Sequence, residues 1–463
     1  MVPRRRFSRR FFALAAAAAL FFLYHLFSLQ PEPQPSPYGR TSSNAAPDTT
    51  SEPAPYCPPL KGIDDILVVM KTGVTESREK VPVHFQTTLR CVPHYVIYSD
   101  FAEEIEGVQI HDAFRTMDPS IVEQVEDFDI YNRISKMGRR GLEQDDFADE
   151  ANSAIGKPNN PGWRLDKWKF LPMAQEALRY KPDAKWFVFM EADTYVSWPT
   201  LLAWLSHYDA REPHYLGTET QIADVIFAHG GSGFMLTNSA LQAVSDQYEA
   251  RREELDEYTD MHWAGDCVLG KVLADAGIDL EFSWPILQNS NLGELDEFTN
   301  DLYRQPWCFI AVAFHHLTPA QVAELWSFEQ KRWHHVSYSS DLVQRFHRIL
   351  PLTPPQTNKR ILLHSDVFRE LLYPTMAGQP TRYSWDNLSG EEQFSVGSFD
   401  ECRRVCEADE TCVQFSFRES KCFTNATPLL GNANPDASSG WLMFRIHHMM
   451  TQTGLCRSPD FGV

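Results

Sequence analysis

Glu191 and Asp193 stand at the end of the apolar run Trp186-Phe-Val-Phe-Met-Glu-Ala-Asp-Thr-Tyr-Val196, which Pro182 and Pro199 bracket. Residues two apart on a strand share a face, so both carboxylates can serve one site. Hard oxygen ligands gathered in this way suit a divalent cation that bridges a diphosphate. The same acid-x-acid pattern also serves as a solvated strand-to-loop turn. Asp266, in Gly265-Asp-Cys-Val-Leu-Gly270, is placed either to act as a catalytic carboxylate or to cap a helix. A further apolar run, Trp307 to Leu317, ends in His315 and His316. Neighbours on a strand face opposite ways, so at most one imidazole is expected to enter a site, where it would add metal-ligand chemistry. The block His229-Gly-Gly-Ser-Gly233 lacks the lysine and spacing of a phosphate-binding P-loop. Its glycines either let backbone approach a ligand closely or make a turn.

The elements that must position these groups alternate strand and helix. Ile63 to Met70 reads as a strand stopping at Lys71-Thr72-Gly73, Val81 to Arg90 as a helix, and His94 to Ser99 as a strand stopping at Asp100. Such a β-α-β opening takes a right-handed crossover and makes its strands parallel. Cys57 and Cys91 flank the unit and are placed to pin its open ends. Residues 101 to 162 are acidic and irregular. Trp163 to Tyr180 has apolar residues at helical spacing and leads into the strand that begins at Trp186; Pro199 to Tyr208 and Asp260 to Ala276 read as further helices. Open α/β sheets bind ligands beyond the carboxyl ends of their strands, which is where Glu191 and Asp193 fall.

The chain begins with a basic segment, residues 1–10, followed by an apolar run over 11–29. That length suits a membrane span, and the preceding arginines favour a cytoplasmic N-terminus. A cleaved secretory signal, whose apolar core is typically about 7–15 residues, is the competing reading. Residues 30–56 are rich in Pro, Ser, Thr and Ala and read as a flexible stem. The formal net charge is −20 despite five arginines in the first ten residues. So acidic a body repels nucleic acid, and a nucleotide diphosphate would need a cation or local basic residues to offset the field.

In an exported chain the nine cysteines are expected in disulfides first. The odd count leaves one thiol over, most simply Cys456, with Cys267 and Cys308 among the bonded ones. Asn387-Leu-Ser and Asn425-Ala-Thr are glycosylation acceptor patterns. Residues 346–380 are Pro-rich and weakly periodic, a boundary before a cysteine-dense module over 381–463. There the spacing is Cys402-x3-Cys406-x5-Cys412-x9-Cys422; four cysteines permit three pairings, and the spacing is not that of a zinc ribbon.

Five blocks carry a family likeness: Trp163-Arg-Leu-Asp-Lys-Trp-Lys169, Phe189-Met-Glu-Ala-Asp-Thr-Tyr-Val196, Gly230-Gly-Ser-Gly-Phe234, Gly265-Asp-Cys-Val-Leu-Gly270 and Phe314-His-His-Leu317. In this order they resemble family 31 glycosyltransferases, the core 1 β3-galactosyltransferase and Fringe group, and its fungal members most. The resemblance runs from about residue 60 to 335. It implies an α/β GT-A (Rossmann-like) domain over 57–345, a UDP-sugar donor, manganese or another divalent cation, and an inverting transfer of galactose or an N-acetylhexosamine. A β1,3 linkage to a glycan or glycoprotein acceptor is implied by analogy alone. Matched block by block, Asp193 takes the metal-ligand role with Glu191 secondary, His315 completes metal binding, and Asp266 becomes the general base.

Two departures from that pattern are Ala192, where a middle carboxylate would touch the donor, and Gly265, where a further acid would precede the base. Lys71, Thr72 and Asp100 end the first two strands, where nucleotide base and ribose would lie. Lys167 and Lys169 could offset phosphate charge, and Gly231 and Gly233 border the donor. The C-terminal spacing resembles PAN/Apple modules, implying a small disulfide-rich α+β domain with Cys402–Cys422 and Cys406–Cys412 pairs. Such a module could hold an acceptor near the transferase. The whole then reads as a single-pass type II Golgi membrane glycosyltransferase with a lumenal catalytic domain. The alternative is an inactive transferase fold kept for binding, with the PAN-like module supplying recognition; Ala192 motivates it.

Overall fold

A central eight-stranded sheet carries the fold in the computed structural model, which describes residues 56–147, 157–346, 360–394 and 396–463, with only the backbone over 334–346. The anchor expected at 11–29 and the stem up to residue 55 lie outside the described residues. Among the described residues no helix is long and apolar enough to cross a membrane. All described residues belong to one unit, Pro55–Val463.

The strands in chain order are β1 (Ile66–Lys71), β2 (Tyr95–Ser99), β3 (Glu103–Ile105), β4 (Val108–Asp112), β5 (Trp186–Glu191), β6 (Tyr195–Val196), β7 (Tyr215–Gly217), β8 (Glu219–Ile222), β9 (Val225–Ala228), β10 (Phe234–Thr237), β11 (Leu280–Phe282) and β12 (Ala313–Phe314). The sheet order is β11-β7-β10-β5-β1-β2-β4-β3. β1 runs parallel to both β2 and β5, as the β-α-β opening requires, while β10 is antiparallel to its neighbours β5 and β7. The crossover between β1 and β2 is helical in short pieces, Ser77–Lys80 and Pro82–Gln86, and the Cys57–Cys91 disulfide closes it.

β5 is buried on both faces. Phe187 and Phe189 pack under the helices Phe170–Tyr180, Asn238–Ala250 and Gly265–Asp275, and Val188, Met190 and Ala192 join the opposite core with Val68, Met70 and Trp198. A continuous apolar run is what a strand covered on both sides needs. The alternation carries past the strand end, so Glu191 and Asp193 emerge on the side of the first core while Ala192 stays in the second. The helix expected over Asp260–Ala276 is in two parts, Arg252–Met261 and Gly265–Asp275, because His262 adopts an extended backbone. The apolar run ending at His315 is strand only at Ala313–Phe314; Trp307 belongs to a 3-10 turn.

The C-terminal region forms a five-stranded antiparallel sheet from β13 (Thr381–Asp386), β14 (Glu391–Gln393), β15 (Gln414–Arg418), β16 (Lys421–Asn425) and β17 (Asn432–Trp441), in the order β13-β17-β15-β16-β14. The helix Phe399–Ala408 covers it, tied down by Cys402–Cys422 and Cys406–Cys412. Residues 360–380, expected to be linker, instead contribute Leu362, Val367, Phe368, Leu372 and Met376 to a core shared with Trp307, Phe314, Trp333, Trp441 and Ile446. The Pro-rich start of the segment masked an apolar spacing that packs both sides together.

Two cysteine expectations are overturned. Cys308 pairs with Cys456, not Cys267, and Cys267 is a free, buried thiol. The reason is topological: the C-terminal tail returns to the half of the chain that carries the eight-stranded sheet, with Ile310 N donating to Asp460 O, which carries Cys456 to Cys308. Cys267 is sealed beneath Phe227 and Ala264. Asn387 is also corrected as a glycan acceptor, since it is fully buried and its Nδ2 donates to the carbonyls of Phe415 and Gly440. Asn425 is half-buried, with Nδ2 donating to Thr427 O at 2.9 Å.

Candidate functional site

The register of β1 against β5 sets Lys71 beside Glu191 at the carboxyl edge of the sheet. Lys71 Nζ lies 3.0 Å from Glu191 Oε1 and also pairs with Asp166. Burial opposes the lysine's charge, but Asp166 and Glu191 outweigh it and hold Lys71 well above the ordinary range. Lys169 is buried beside it, 3.1 Å from Asp166 and 3.5 Å from Asp100, and donates to Thr72 O at 2.8 Å. A buried charge persists only when paired, and here two cations share Asp166 at the floor of a cleft of about 480 Å³.

Beyond the end of β5, Asp193 meets His315. β12 lies antiparallel to β6 with Phe314 opposite Tyr195, which brings the two together. His315 Nε2 is 3.2 Å from Asp193 Oδ1 and 3.8 Å from Glu191 Oε2. On its other side Nδ1–H donates to Asn289 Oδ1 at 2.9 Å. That fixes the tautomer with Nε2 turned to the carboxylates, the usual arrangement behind a metal-binding histidine. Burial alone would lower the imidazole's pKa, but its hydrogen bonds with Asp193 and Glu191 and their charges push it up to about 9. Lys80 Nζ lies 3.0 Å from Asp193 Oδ2 and 2.8 Å from Glu76 Oε2.

The ligand atoms of Asp193, His315 and His316 all lie within 4.8 Å of one another. One carboxylate oxygen and two imidazoles form a donor set that fits a divalent transition cation. Glu191 enters the same cleft but is engaged by Lys71, and it is His316 that completes the cluster. The expectation that only one histidine of the pair enters the cleft is therefore corrected. His316 has φ 55, so the backbone leaves the strand there and strand alternation no longer applies.

Asp266 sits in the first turn of Gly265–Asp275 but does not cap it; the N-cap is Ala264. Its Oδ1 accepts from Cys267 N within that turn at 3.0 Å, and its Oδ2 accepts from Gly230 N at 2.9 Å, across to the Gly-rich loop. Burial raises its pKa, against the opposing pull of His229 and the Gly230 amide. A carboxylate raised in this way remains a base with real proton affinity. Gly265 has a packing reason: a Cβ there would lie 2.5 Å from Lys167 O and from the Phe170 ring. At Gly231 a Cβ would lie 2.0 Å from His315 Cε1.

The cleft thus gathers Asp193, His315, Glu191, Asp266, Lys71, Thr72, Lys167, Lys169 and Gly231 from the residues expected at the site. Two are not on its wall. Gly233 serves a turn, with φ 78 and Phe189 O 3.2 Å from where a Cβ would be, and Asp100 is buried behind, accepting from Val74 N at 2.6 Å. Its job there is to hold the loop after β1. Sequence reasoning missed His316, His229 and the stacked pair Trp163–Trp263, whose ring centroids are 6.0 Å apart. The two tryptophans were legible as aromatic residues beside two of the motif blocks.

A mixed, parallel-rich α/β sheet whose strand ends present residues able to hold a cation, buried lysines and a separate carboxylate is consistent with a GT-A-like glycosyltransferase domain. A profile of the Fringe-like family matches residues 61–331, and the chain belongs to this family, which is of the glycosyltransferase family 31 type. A stretch of 91 residues is 29% identical to human chondroitin sulfate glucuronyltransferase, covering 19% of this chain and 12% of that protein.

Proposed function

We propose that the protein transfers a sugar from a UDP-sugar to a glycan or glycoprotein hydroxyl with inversion, in a metal-dependent reaction. The observation that carries this reading is the separation of tasks in one cleft: Asp193 and His315 form a cation cluster, while Asp266 stands apart, held by Gly230 N and raised in proton affinity by burial. A bound divalent cation would neutralise charge on the departing diphosphate. Asp266 takes the proton of the acceptor hydroxyl as that oxygen attacks the anomeric carbon, through whichever carboxylate oxygen faces the cleft. Lys71, Lys169 and Lys167 line the cleft and offset part of its acidity, each paired with carboxylates: Lys71 with Asp166 and Glu191, Lys169 with Asp166 and Asp100, and Lys167 with Asp127. Thr72 and the loop braced by Asp100 shape the wall at the end of β1.

Ala192 has a packing role. Its methyl is buried in the core with Val68 and Met70, and its carbonyl accepts from His84 Nε2 at 2.8 Å. A carboxylate at this position would point into the core. The alanine is thus accounted for by packing and does not by itself argue for an inactive fold.

Galactose or an N-acetylhexosamine as the donor sugar, a β1,3 linkage, and a single-pass type II placement in the Golgi membrane through residues 11–29 belong to the same proposal by family likeness. The segment from 381 onward is proposed as a PAN/Apple-like module. Manganese-dependent binding and hydrolysis of UDP-galactose, UDP-N-acetylglucosamine and UDP-glucose tests the reading. Binding or turnover of at least one is expected, with turnover lost in both Asp193→Ala and Asp266→Ala and metal-dependent binding lost in Asp193→Ala alone, without loss of folding. Absence of UDP binding and of turnover with every donor would refute it.

A further inference from the structure

We infer that His316 is a metal ligand in its own right, so that this chain holds its cation through one carboxylate and two imidazoles. The inference rests on the metal-dependent reading above and adds to it the composition of the ligand set.

The backbone at His316 is left-handed, with φ 55. Glycine or asparagine fills such a turn with less strain, and a larger residue there is held by its surroundings. Those surroundings are fixed on both sides. His315 is anchored to Asn289, and Leu317, itself buried, donates its N–H to Asp193 O at 3.0 Å before Pro319 opens the next helix. The clamp thus runs through Asp193 and turns the His316 ring onto that of His315, with centroids 3.9 Å apart and planes 31° apart. The His316 ring is exposed on the cleft side and, among the described residues, has no hydrogen-bond partner in the protein, so its nitrogens are open to solvent or to a bound ion. A turn residue needs no ring at this place, and the ring it has comes within ligand range of Asp193 and His315.

The consequence is chemical. Glu191 is paired with Lys71 and Asp193 with Lys80, each at 3.0 Å, and of the two it is the Asp193 carboxylate that lies within ligand range of both imidazoles. Replacing a carboxylate by an imidazole in the ligand set shifts preference away from magnesium, which favours oxygen ligands and water, toward ions that accept nitrogen.

Calorimetric titration of the whole protein with Mn2+ and with Mg2+, each with and without UDP, separates the possibilities. His316→Gly relieves the left-handed strain, so its metal-free melting temperature is expected to match or exceed that of the wild type. Its Mn2+ affinity is expected to fall ten-fold or more, with Mg2+ affinity changed far less. Mn2+ affinity in His316→Gly within two-fold of wild type, while Asp193→Ala abolishes it, would overturn the inference and leave the metal reading standing. No Mn2+ binding by the wild type, with or without UDP, would overturn the metal reading itself. Pulsed EPR of Mn2+ on the wild-type protein supplies a count that needs no variant: two directly bound imidazole nitrogens are expected, and one alone would overturn the inference.

Discussion

Gly231 and His315 are packed so closely that a single methyl group cannot be placed between them: a Cβ on Gly231 would lie 2.0 Å from the imidazole Cε1. The Gly-rich loop is therefore the back wall of the cation cluster, and Thr194 Oγ1, donating to Gly231 O at 2.8 Å, pins that wall to the loop that carries Asp193.

Gly231→Ala is accordingly expected to displace the His315 ring and weaken Mn2+ binding by about 10–100-fold, the range for disturbing the support of a metal ligand. Gly230→Ala meets the Phe170 ring at 3.2 Å and should do less to the metal. Mn2+ titration of the two variants checks the order; equal affinities would contradict it.

Asp266→Asn keeps the shape and an oxygen for the Gly230 amide but cannot take a proton. A fall in kcat of about 10²–10⁴-fold is expected with UDP binding unchanged. Because burial raises the Asp266 pKa, the base is lost as pH falls through a value above that of an exposed aspartate. The acid limb of kcat/KM should therefore lie higher than an exposed aspartate would give, and be absent from the residual activity of the variant. A profile that still has that limb would assign the base elsewhere.

How much of this was legible in the sequence depended on whether a residue's role is set locally. The apolar run of β5 and its two acids are local, and so the strand and the shared face of Glu191 and Asp193 follow from period and composition, whereas its pairing with β1 does not. Asp266 was legible as a carboxylate with two readings, and only the long-range contact with Gly230 N separates base from cap. His316 was misplaced because strand alternation was applied two residues past the strand, where φ turns positive. Cys456, Asn387 and residues 360–380 were misread for one shared reason. Their partners lie far off in the chain, and a tail that folds back onto Cys308, or a sheet that buries an Asn-x-Ser pattern, leaves no mark in nearby residues.

Glu329 predicts a pH dependence of stability. It is fully buried, accepts from Tyr195 Oη and Ser197 Oγ, each at 2.5 Å, and burial pushes its pKa up to about 7. A folded-state pKa above the unfolded one means the neutral form is favoured in the fold. The contribution is full below the unfolded value near 4.3 and is lost as pH rises through about 7. Glu329→Gln, which cannot ionise, should gain on the wild type by roughly 1–3 kcal/mol between pH 5 and pH 8. Chemical denaturation at the two pH values measures this, and parallel pH dependence in both proteins would refute it.

The Cys308–Cys456 bond gives the last prediction. It ties the C-terminal tail to the catalytic half over a sequence separation of 148, beside a core that both halves share. Removing a bond that closes so long a loop costs about 2–5 kcal/mol, so Cys456→Ser should lower the melting temperature and loosen the tail that carries Phe461 against His207, ring centroids 4.4 Å apart. Cys267 behaves oppositely. Burial raises its thiol to about 12, which leaves almost no thiolate at neutral pH. A maleimide should therefore label no cysteine in the native protein and one, Cys267, after denaturation without reductant. Peptide mapping of the labelled chain decides the matter, because a Cys267–Cys308 bridge would leave Cys456 as the labelled residue instead.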